Sequence, residues 1–329
     1  MKVILPVAGK GTRLLPQTHT KPKCLVRVAG KPLLGHLIER LRGLPMEELI
    51  LIVDDDKENE ARIRSYMASL ISVPVRYVRQ LELNGPAHAV FLARDYIKGD
   101  VFIIFNDTIF DADLSSVTRT NADGLIWVKE VEDPRRFGLV VINDERIVQL
   151  VEKPETPPSN LAMVGMYYLK DGPALMQRIG QLIQANQTVQ GEFYLPDPLQ
   201  LMINDGYRLE AAQVDGWYDC GTIPALLDTN RRLLDSDVQT ISTLGDSVII
   251  PPVYIEQGAQ LYRSIIGPYV SLAAHVEINN SIIRDSIVNE YASIQDALLH
   301  KSLIGEKAQI IGTFKSLNMG DSSALIENA

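Results

Sequence analysis

Residues Val3 to Lys23 read V-I-L-P-V-A-G-K-G-T-R-L-L-P-Q-T-H-T-K-P-K. The opening apolar run, with β-branched Val3 and Ile4, predicts a buried strand. It breaks into the small-residue turn Ala8-Gly9-Lys10-Gly11-Thr12. There, backbone N–H groups can approach phosphate oxygens with no side chains in the way. Arg13 and Lys23 place two permanent cations beside that turn. A strand, a glycine turn, an Arg and a Lys in this order are what binding a polyphosphate requires. Neither common phosphate motif fits. A P-loop needs Lys-Ser/Thr after its last glycine, and Gly11 is followed by Thr12-Arg13. The dinucleotide fingerprint needs a third glycine where Leu14 stands.

The chain has 329 residues, which favours two domains over one. An apolar fraction of 46% supports a sizeable core, and a net charge of -9 argues against nucleic acid or an anionic membrane as partner. An anionic substrate must then be held by local cations, as at Arg13 and Lys23. The two cysteines, Cys24 and Cys220, suggest free thiols in a reducing compartment rather than a disulfide framework. No apolar run approaches the roughly 20 residues of a membrane span. The N-terminal run is too short for a signal peptide, so a cytoplasmic protein is expected.

The full opening string resembles the signature of the sugar nucleotidyltransferases, G-G-x-G-T-R-L-x-P-x-T-x-x-x-P-K. The match runs through Gly9, Gly11, Thr12, Arg13, Leu14, Pro16, Thr18, Pro22 and Lys23; Ala8 replaces the first glycine. A plain glycine turn with surface cations would explain the glycines but not Pro16, Pro22 or the whole register. The resemblance implies nucleotide contacts from Ala8, Gly9, Gly11 and Thr12, and a catalytic role for Arg13 and Lys23.

Further along, Leu25–Val28 reads as a strand, Leu33 to Leu44 as an amphipathic helix and Glu48 to Val53 as a second buried strand. Asp54-Asp55-Asp56 is best taken as a strand end and helix cap, because a helical pattern starts at Lys57. A third strand is predicted over Val73 to Val78, then Gln80 and the stretch Asn84-Gly85-Pro86-Ala87-His88-Ala89, followed by a helix to Tyr96. Gln80 and Gly85 resemble the base-recognising loop of the uridylyl and thymidylyl enzymes. A Gln amide offers a donor and an acceptor to a pyrimidine edge. The continuous apolar run Val101 to Phe105 predicts a central parallel strand ending at Asp107, where open α/β sheets bind ligands. The family resemblance makes Asp107 a metal carboxylate.

A second block, D-P-x-x-F-G from Asp133, E-K-P from Glu152, and S-N-x-A-x-x-G-x-Y-Y from Ser159, also resembles the family. It implies that Gly138, Glu152, Lys153 and Gly165 bind the sugar phosphate. Glu192 joins them from Q-G-E-F-Y-L-P-D, in which Gln190, Tyr194 and Pro196 depart from the family's Arg, Glu and Thr. W-Y-D-C-G-T makes Asp219 the second metal carboxylate. The alternation of strands and helices predicts a Rossmann-like, mixed and mostly parallel sheet with helices on both faces over residues 1–236.

After a linker at 237–245 the periodicity changes. Ile249, Ile255, Leu261, Ile266, Leu272, Ile278, Ile283, Val288, Ile294, Leu299, Ile304 and Ile310 recur at five or six residues. Taken every third, they form three series stepping by 16 or 17 residues. That is the mark of a parallel β-helix with three flat faces. Residues 246–318 resemble the left-handed hexapeptide-repeat domain appended to many nucleotidyltransferases, with a tail at 319–329. A solenoid end must be capped or paired, so a homo-oligomer through this domain is expected.

Taken together, the resemblance implies Mg²⁺-assisted transfer of a nucleotidyl group from UTP or dTTP to a sugar 1-phosphate, with glucose 1-phosphate foremost. Three alternatives are weighed. A guanylyltransferase using mannose 1-phosphate is one. A non-catalytic sensor of nucleotide sugars is the second; it would typically have lost Arg13, Lys23, Asp107 or Asp219. The third is a bifunctional enzyme with acetyltransferase activity in the repeats, for which His275 and His300 fall at x positions of the repeat.

Overall fold

The computed structural model describes residues 1–236, 243–312 and 318–326. Its contacts divide it into one unit of Met1–Gly9 with Leu37–Trp217, and another of Lys10–His36 with Tyr218–Ala329. The signature loop and the helix Ile223–Ser236 group with the C-terminal repeats, because both pack on one face of them. The first six positions of the expected linker, 237–242, lie outside the described residues.

The first unit is built on a nine-stranded sheet. Strands Val75–Arg79, Glu48–Val53, Lys2–Pro6 and Val101–Ile104 lie side by side and parallel. Every residue of Glu48–Val53 and of Val101–Ile104 is buried, as their unbroken apolar runs predict. Val101–Ile104 is parallel to the first strand on one side. On the other it meets Leu161–Leu169 in antiparallel pairing. The sheet then continues through Gly124–Glu130, Leu209–Gln213, Arg146–Glu152 and Gly138–Asn143. The third strand starts two residues later than predicted, at Val75. The helix at Pro86 stops at Phe91, with a 3-10 turn at Arg94–Tyr96. Asp56 caps the Lys57–Ala68 helix, accepting from the amides of Glu58 and Asn59, so the acid triplet is a cap as expected.

In the second unit the repeats from Ser247–Ile249 to Gln309–Ile311 run through three five-stranded sheets in rotation. The three counted series are the three ladders. Ile249, Ile266, Ile283 and Leu299 pair in register on one face. Ile255, Leu272, Val288 and Ile304 pair on the second. Leu261, Ile278, Ile294 and Ile310 pair on the third. All twelve belong to one apolar core, with Ile255 alone only partly buried. The turns use left-handed residues such as Arg263, Asn280, Asp296 and Lys307. The expected tail still contributes strands: Asn318–Met319 and Ala324–Ile326 extend the second and third ladders.

Candidate active site

In the first unit the parallel strands bring their carboxyl ends to one edge. Ala8 and Gly9 follow Lys2–Pro6, Gln80 follows Val75–Arg79, and Asp107 follows Val101–Ile104. Ala8 is buried, so its methyl belongs to the packing. Gln80 is buried, and its backbone N–H donates to the carbonyl of Val53 at 2.8 Å. Phe105 is tied to Gly165 by an N–H···O bond of 3.0 Å, which brings Gly165 level with the Asn106-Asp107 turn.

Gly85 has φ +103°, and a Cβ there would stand 2.6 Å from the backbone N and O of Phe193. Only glycine combines that conformation with so close an approach. The two segments are laced together, Phe193 N–H to Asn84 O and Ala87 N–H to Phe193 O, each at 2.9 Å. The predicted base loop and the Glu192 segment therefore form one structure.

Glu152 pairs with Gly138 across the hairpin of Gly138–Asn143 and Arg146–Glu152. Burial pushes the Glu152 carboxyl above the ordinary carboxylate value, against the opposing pull of Lys153, and the negative fields of Asp197 and Glu192 add to the rise. The Lys153 ammonium lies 3.5 Å from Glu152, 3.1 Å from the Tyr194 hydroxyl and 4.5 Å from the Tyr194 ring centre. Burial alone would lower Lys153, but Tyr194 and Glu152 outweigh it and the net shift is upward. Tyr167 is fully buried, and burial raises its hydroxyl, with Glu152 and Asp107 reinforcing the shift. Carboxylates, one lysine and phenols in a half-desolvated cluster can bind a polyhydroxylated anion.

In the second unit Gly11 adopts φ +60°, and Thr18 closes the loop by donating to its carbonyl at 2.8 Å. A Cβ on Gly11 would stand 2.9 Å from the Thr18 methyl and 3.1 Å from Lys23 Cβ. Glycine thus lets the two ends of the signature close on each other. Thr12 opens the 3-10 turn Thr12–Leu14 that carries Arg13. Lys23 is buried, within a second such turn, Lys23–Leu25. Asp219 Oδ1 accepts from the Gly221 amide at 2.7 Å. A Cβ on Gly221 would stand 2.9 Å from that oxygen and 3.1 Å from an Arg13 guanidinium nitrogen, so Arg13 and Asp219 flank the same glycine.

Among the described residues no three His, Cys, Asp or Glu side chains converge into a cluster able to hold a metal alone. Cys24 and Cys220 are buried free thiols, as expected. No helix among the described residues is long and apolar enough to cross a membrane.

Three neighbours of the site escaped the sequence. Tyr194 read only as a departure, yet it holds Lys153. Asp197, half-buried in this segment, is raised by burial. The buried Asn106 amide nitrogen has no hydrogen-bond partner, an orphaned donor beside Asp107. Its signal was present in the N-D pair that ends the central strand.

A glycine turn after the first strand of a mixed nine-stranded sheet flanked by helices is an α/β architecture. The chain belongs to the nucleotidyl transferase family, whose model matches residues 2–236. It is 37% identical over 247 residues to the UTP–glucose-1-phosphate uridylyltransferase AglF of Haloferax volcanii, covering 73% of this chain and 99% of that one. It is 31% identical to the low-salt glycan biosynthesis nucleotidyltransferase Agl11 of the same organism, over 99% of both chains. A Bacillus anthracis structure described as a glucose-1-phosphate thymidylyltransferase superposes with a TM-score of 0.62 at 26% identity, over 73% of this chain and 97% of that one.

Proposed function

We propose that this chain transfers a nucleotidyl group from UTP or dTTP to a sugar 1-phosphate, glucose 1-phosphate first among the acceptors, and releases pyrophosphate. The observation that carries the reading is Lys23. Its neighbours Lys21 and Arg27 are committed to carboxylates. Lys23 is buried in the same loop and makes no such pair among the described residues. A lysine held in the loop with no carboxylate of its own is placed to pair with a substrate anion.

In the reaction a phosphate oxygen of the sugar 1-phosphate forms a bond to the α-phosphorus. The bond from that phosphorus to the β-phosphate oxygen breaks, and its electron pair leaves with pyrophosphate. The attacking oxygen is already anionic, so the protein needs neither a nucleophile nor a general base; it positions and neutralises. Arg13 and Lys23 take the β- and γ-phosphates, while Ala8, Gly9, Gly11 and Thr12 supply loop amides. Gln80 and Gly85 read the base. Lys153 fixes the sugar phosphate, Glu152 and Glu192 accept from sugar hydroxyls, and Gly138 and Gly165 let backbone approach the ring. Asp107 and Asp219 are hard oxygen donors, the set that suits Mg²⁺ when substrate phosphates complete the coordination. Bound there, the ion would neutralise charge at the α-phosphate.

A homo-oligomer is part of this reading. The outward positions of the first ladder, Val248, Ile265, Ile282 and Leu298, are all aliphatic and in register, and three of them are exposed. Such a stripe suits a second copy of the same face. Mass measured by light scattering should fall to that of one chain in an Ile282→Glu, Leu298→Glu variant.

A panel of triphosphates against sugar 1-phosphates, read by pyrophosphate release with Mg²⁺, tests the activity. Turnover should be confined to UTP and dTTP and be greatest with glucose 1-phosphate. Release only with purine triphosphates, or with none, overturns the reading.

A further inference from the structure

The second face of the repeat coil consists of strands Val253–Ile255, Val270–Leu272, Ser286–Val288, Leu303–Ile304 and Asn318–Met319. The signature loop lies along this face and the turns that follow its strands. Pro16 packs on Gly320, where a Cβ would stand 2.9 Å from the proline. Gln17 is buried; its amide nitrogen faces the carbonyls of Met319 and Leu303, the latter at 3.2 Å, and Asn318 Oδ1 at 3.1 Å. Lys21 lies 3.5 Å from both Glu306 and Asp321. Arg27 bridges Glu290, at 2.6 Å, and Glu256. Gly30 sits under the Tyr254 ring, leaving no room for a Cβ. Asn230, buried on the Ile223–Ser236 helix, accepts from the Ala29 amide at 2.9 Å and from Ser271 of the same face at 2.7 Å.

The arrangement has a pattern. Glu256, Glu290, Glu306 and Asp321 each occupy the turn after a strand of this face, on different coils of the stack. They form a column of acids along one corner. The loop opposes it with Lys21 and Arg27, and inserts Gln17 at the far end. Arg13 and Lys23 are thereby bracketed: Gln17 anchors the chain four residues after Arg13, Lys21 two residues before Lys23, and Arg27 four residues after it. Hydrogen bonds to charged partners at part-buried sites hold geometry better than exposed pairs do.

We infer that the repeat coil is a template for the phosphate-binding loop, and that Gln17 and Arg27 are positioning residues that act through Arg13 and Lys23. The inference rests on the assignment of those two cations to the triphosphate. The acids of the column also engage Lys21 and Arg27, which leaves Lys23 between them without a carboxylate partner among the described residues. A displacement of the loop by about 1 Å is enough to cost on the order of a hundredfold in rate.

The test uses full-length protein and acts from both sides of the contact. Arg27→Met and Gln17→Leu remove the loop anchors; Glu256→Gln with Glu290→Gln removes the coil anchors without touching the loop. Both sets should raise KM for the triphosphate and lower kcat, each by about tenfold or more, with KM for the sugar phosphate nearly unchanged. Arg27→Lys should recover part of the loss, since it keeps the charge but not the fork. Hydrogen exchange supplies a readout independent of turnover: amides 11–24 should exchange at least about tenfold faster in both sets, while those of the coil core keep their protection. Unchanged exchange at 11–24 in folded variants overturns the inference. So does a loss confined to the loop-side variants. A parent protein without nucleotidyl transfer would overturn the functional reading instead, and the exchange experiment would still decide whether the coil holds the loop.

Discussion

The ammonium of Lys153 lies 3.1 Å from the Tyr194 hydroxyl and close over its ring. Tyr194 stands where the family pattern has a glutamate, so a neutral phenol steers this lysine where a carboxylate would have paired with it. Glu152, 3.5 Å away, is then the one carboxylate beside this lysine among the described residues, and a phosphate would meet the ammonium alongside it. Tyr194→Phe removes the hydroxyl and keeps the ring. We expect KM for the sugar phosphate to rise about three- to tenfold, the net worth of one ordinary hydrogen bond, with KM for the triphosphate unchanged. Tyr194→Glu should be worse, because it adds a competing anion. Steady-state kinetics with each substrate varied in turn checks both.

Glu152 should impose a pH dependence on acceptor binding. Its carboxyl is raised, chiefly by burial, so in the folded protein it takes up a proton above the ordinary carboxylate range. As pH falls through that raised value, Glu152 ceases to be a charged acceptor and KM for the sugar phosphate should climb. The linkage to stability has the opposite sense. The folded state binds the proton more tightly than the unfolded chain, so this group's contribution to stability falls as pH rises from the unfolded to the folded value. Glu152→Gln should flatten both profiles. A KM profile in the variant that still follows the parent's acid limb assigns the titration to another group.

Lys23→Ala and Asp107→Ala should each lower kcat by about a hundredfold or more with the fold intact, as losses of charge at a phosphoryl centre do. Far-UV circular dichroism and pyrophosphate release from the same preparations provide the check. Near-normal turnover in either variant would sink its assignment.

Gly85→Ala should couple the two substrates. Its φ of +103° and the Phe193 backbone 2.6 Å from the would-be Cβ leave the alanine no relaxed position. The strain is worth about 1–3 kcal/mol, and relief requires breaking the bonds between residues 84–87 and Phe193. We expect a lower Tm and higher KM values for both triphosphate and sugar phosphate, since the Glu192 segment moves with the base loop. A rise in the triphosphate KM alone would mean that the two loops act separately.

Ile278→Ala should destabilise the repeats by about 2–5 kcal/mol, the range for a large-to-small change in a packed core. Ile278 is fully buried between Leu261 and Ile294 in the third ladder. Denaturant unfolding followed by hydrogen exchange should show the loss concentrated in neighbouring coils, because each repeat touches only the next.

Much of the architecture was legible in the chain itself. The unbroken apolar runs at 49–53 and Val101–Ile104 read as strands covered on both faces, and the five- and six-residue steps from Ile249 to Ile310 fix which residues share a ladder. Both are local signals, written in the spacing of apolar side chains. The signature from Gly9 to Lys23 likewise carries the family resemblance in its own letters. Three-dimensional packing decided the rest. That Tyr194 serves Lys153, that Gly85 and Phe193 form one strap, and that burial raises Glu152 all depend on segments tens of residues apart in sequence. The partner of the opening loop was the least legible of all. Gln17, Lys21 and Arg27 look like ordinary loop polar residues. Their meaning comes from the acids at 256, 290, 306 and 321, brought into one column only when the coil winds. Periodicity determines which residues face a core, whereas the complementarity of two surfaces exists only once both have folded.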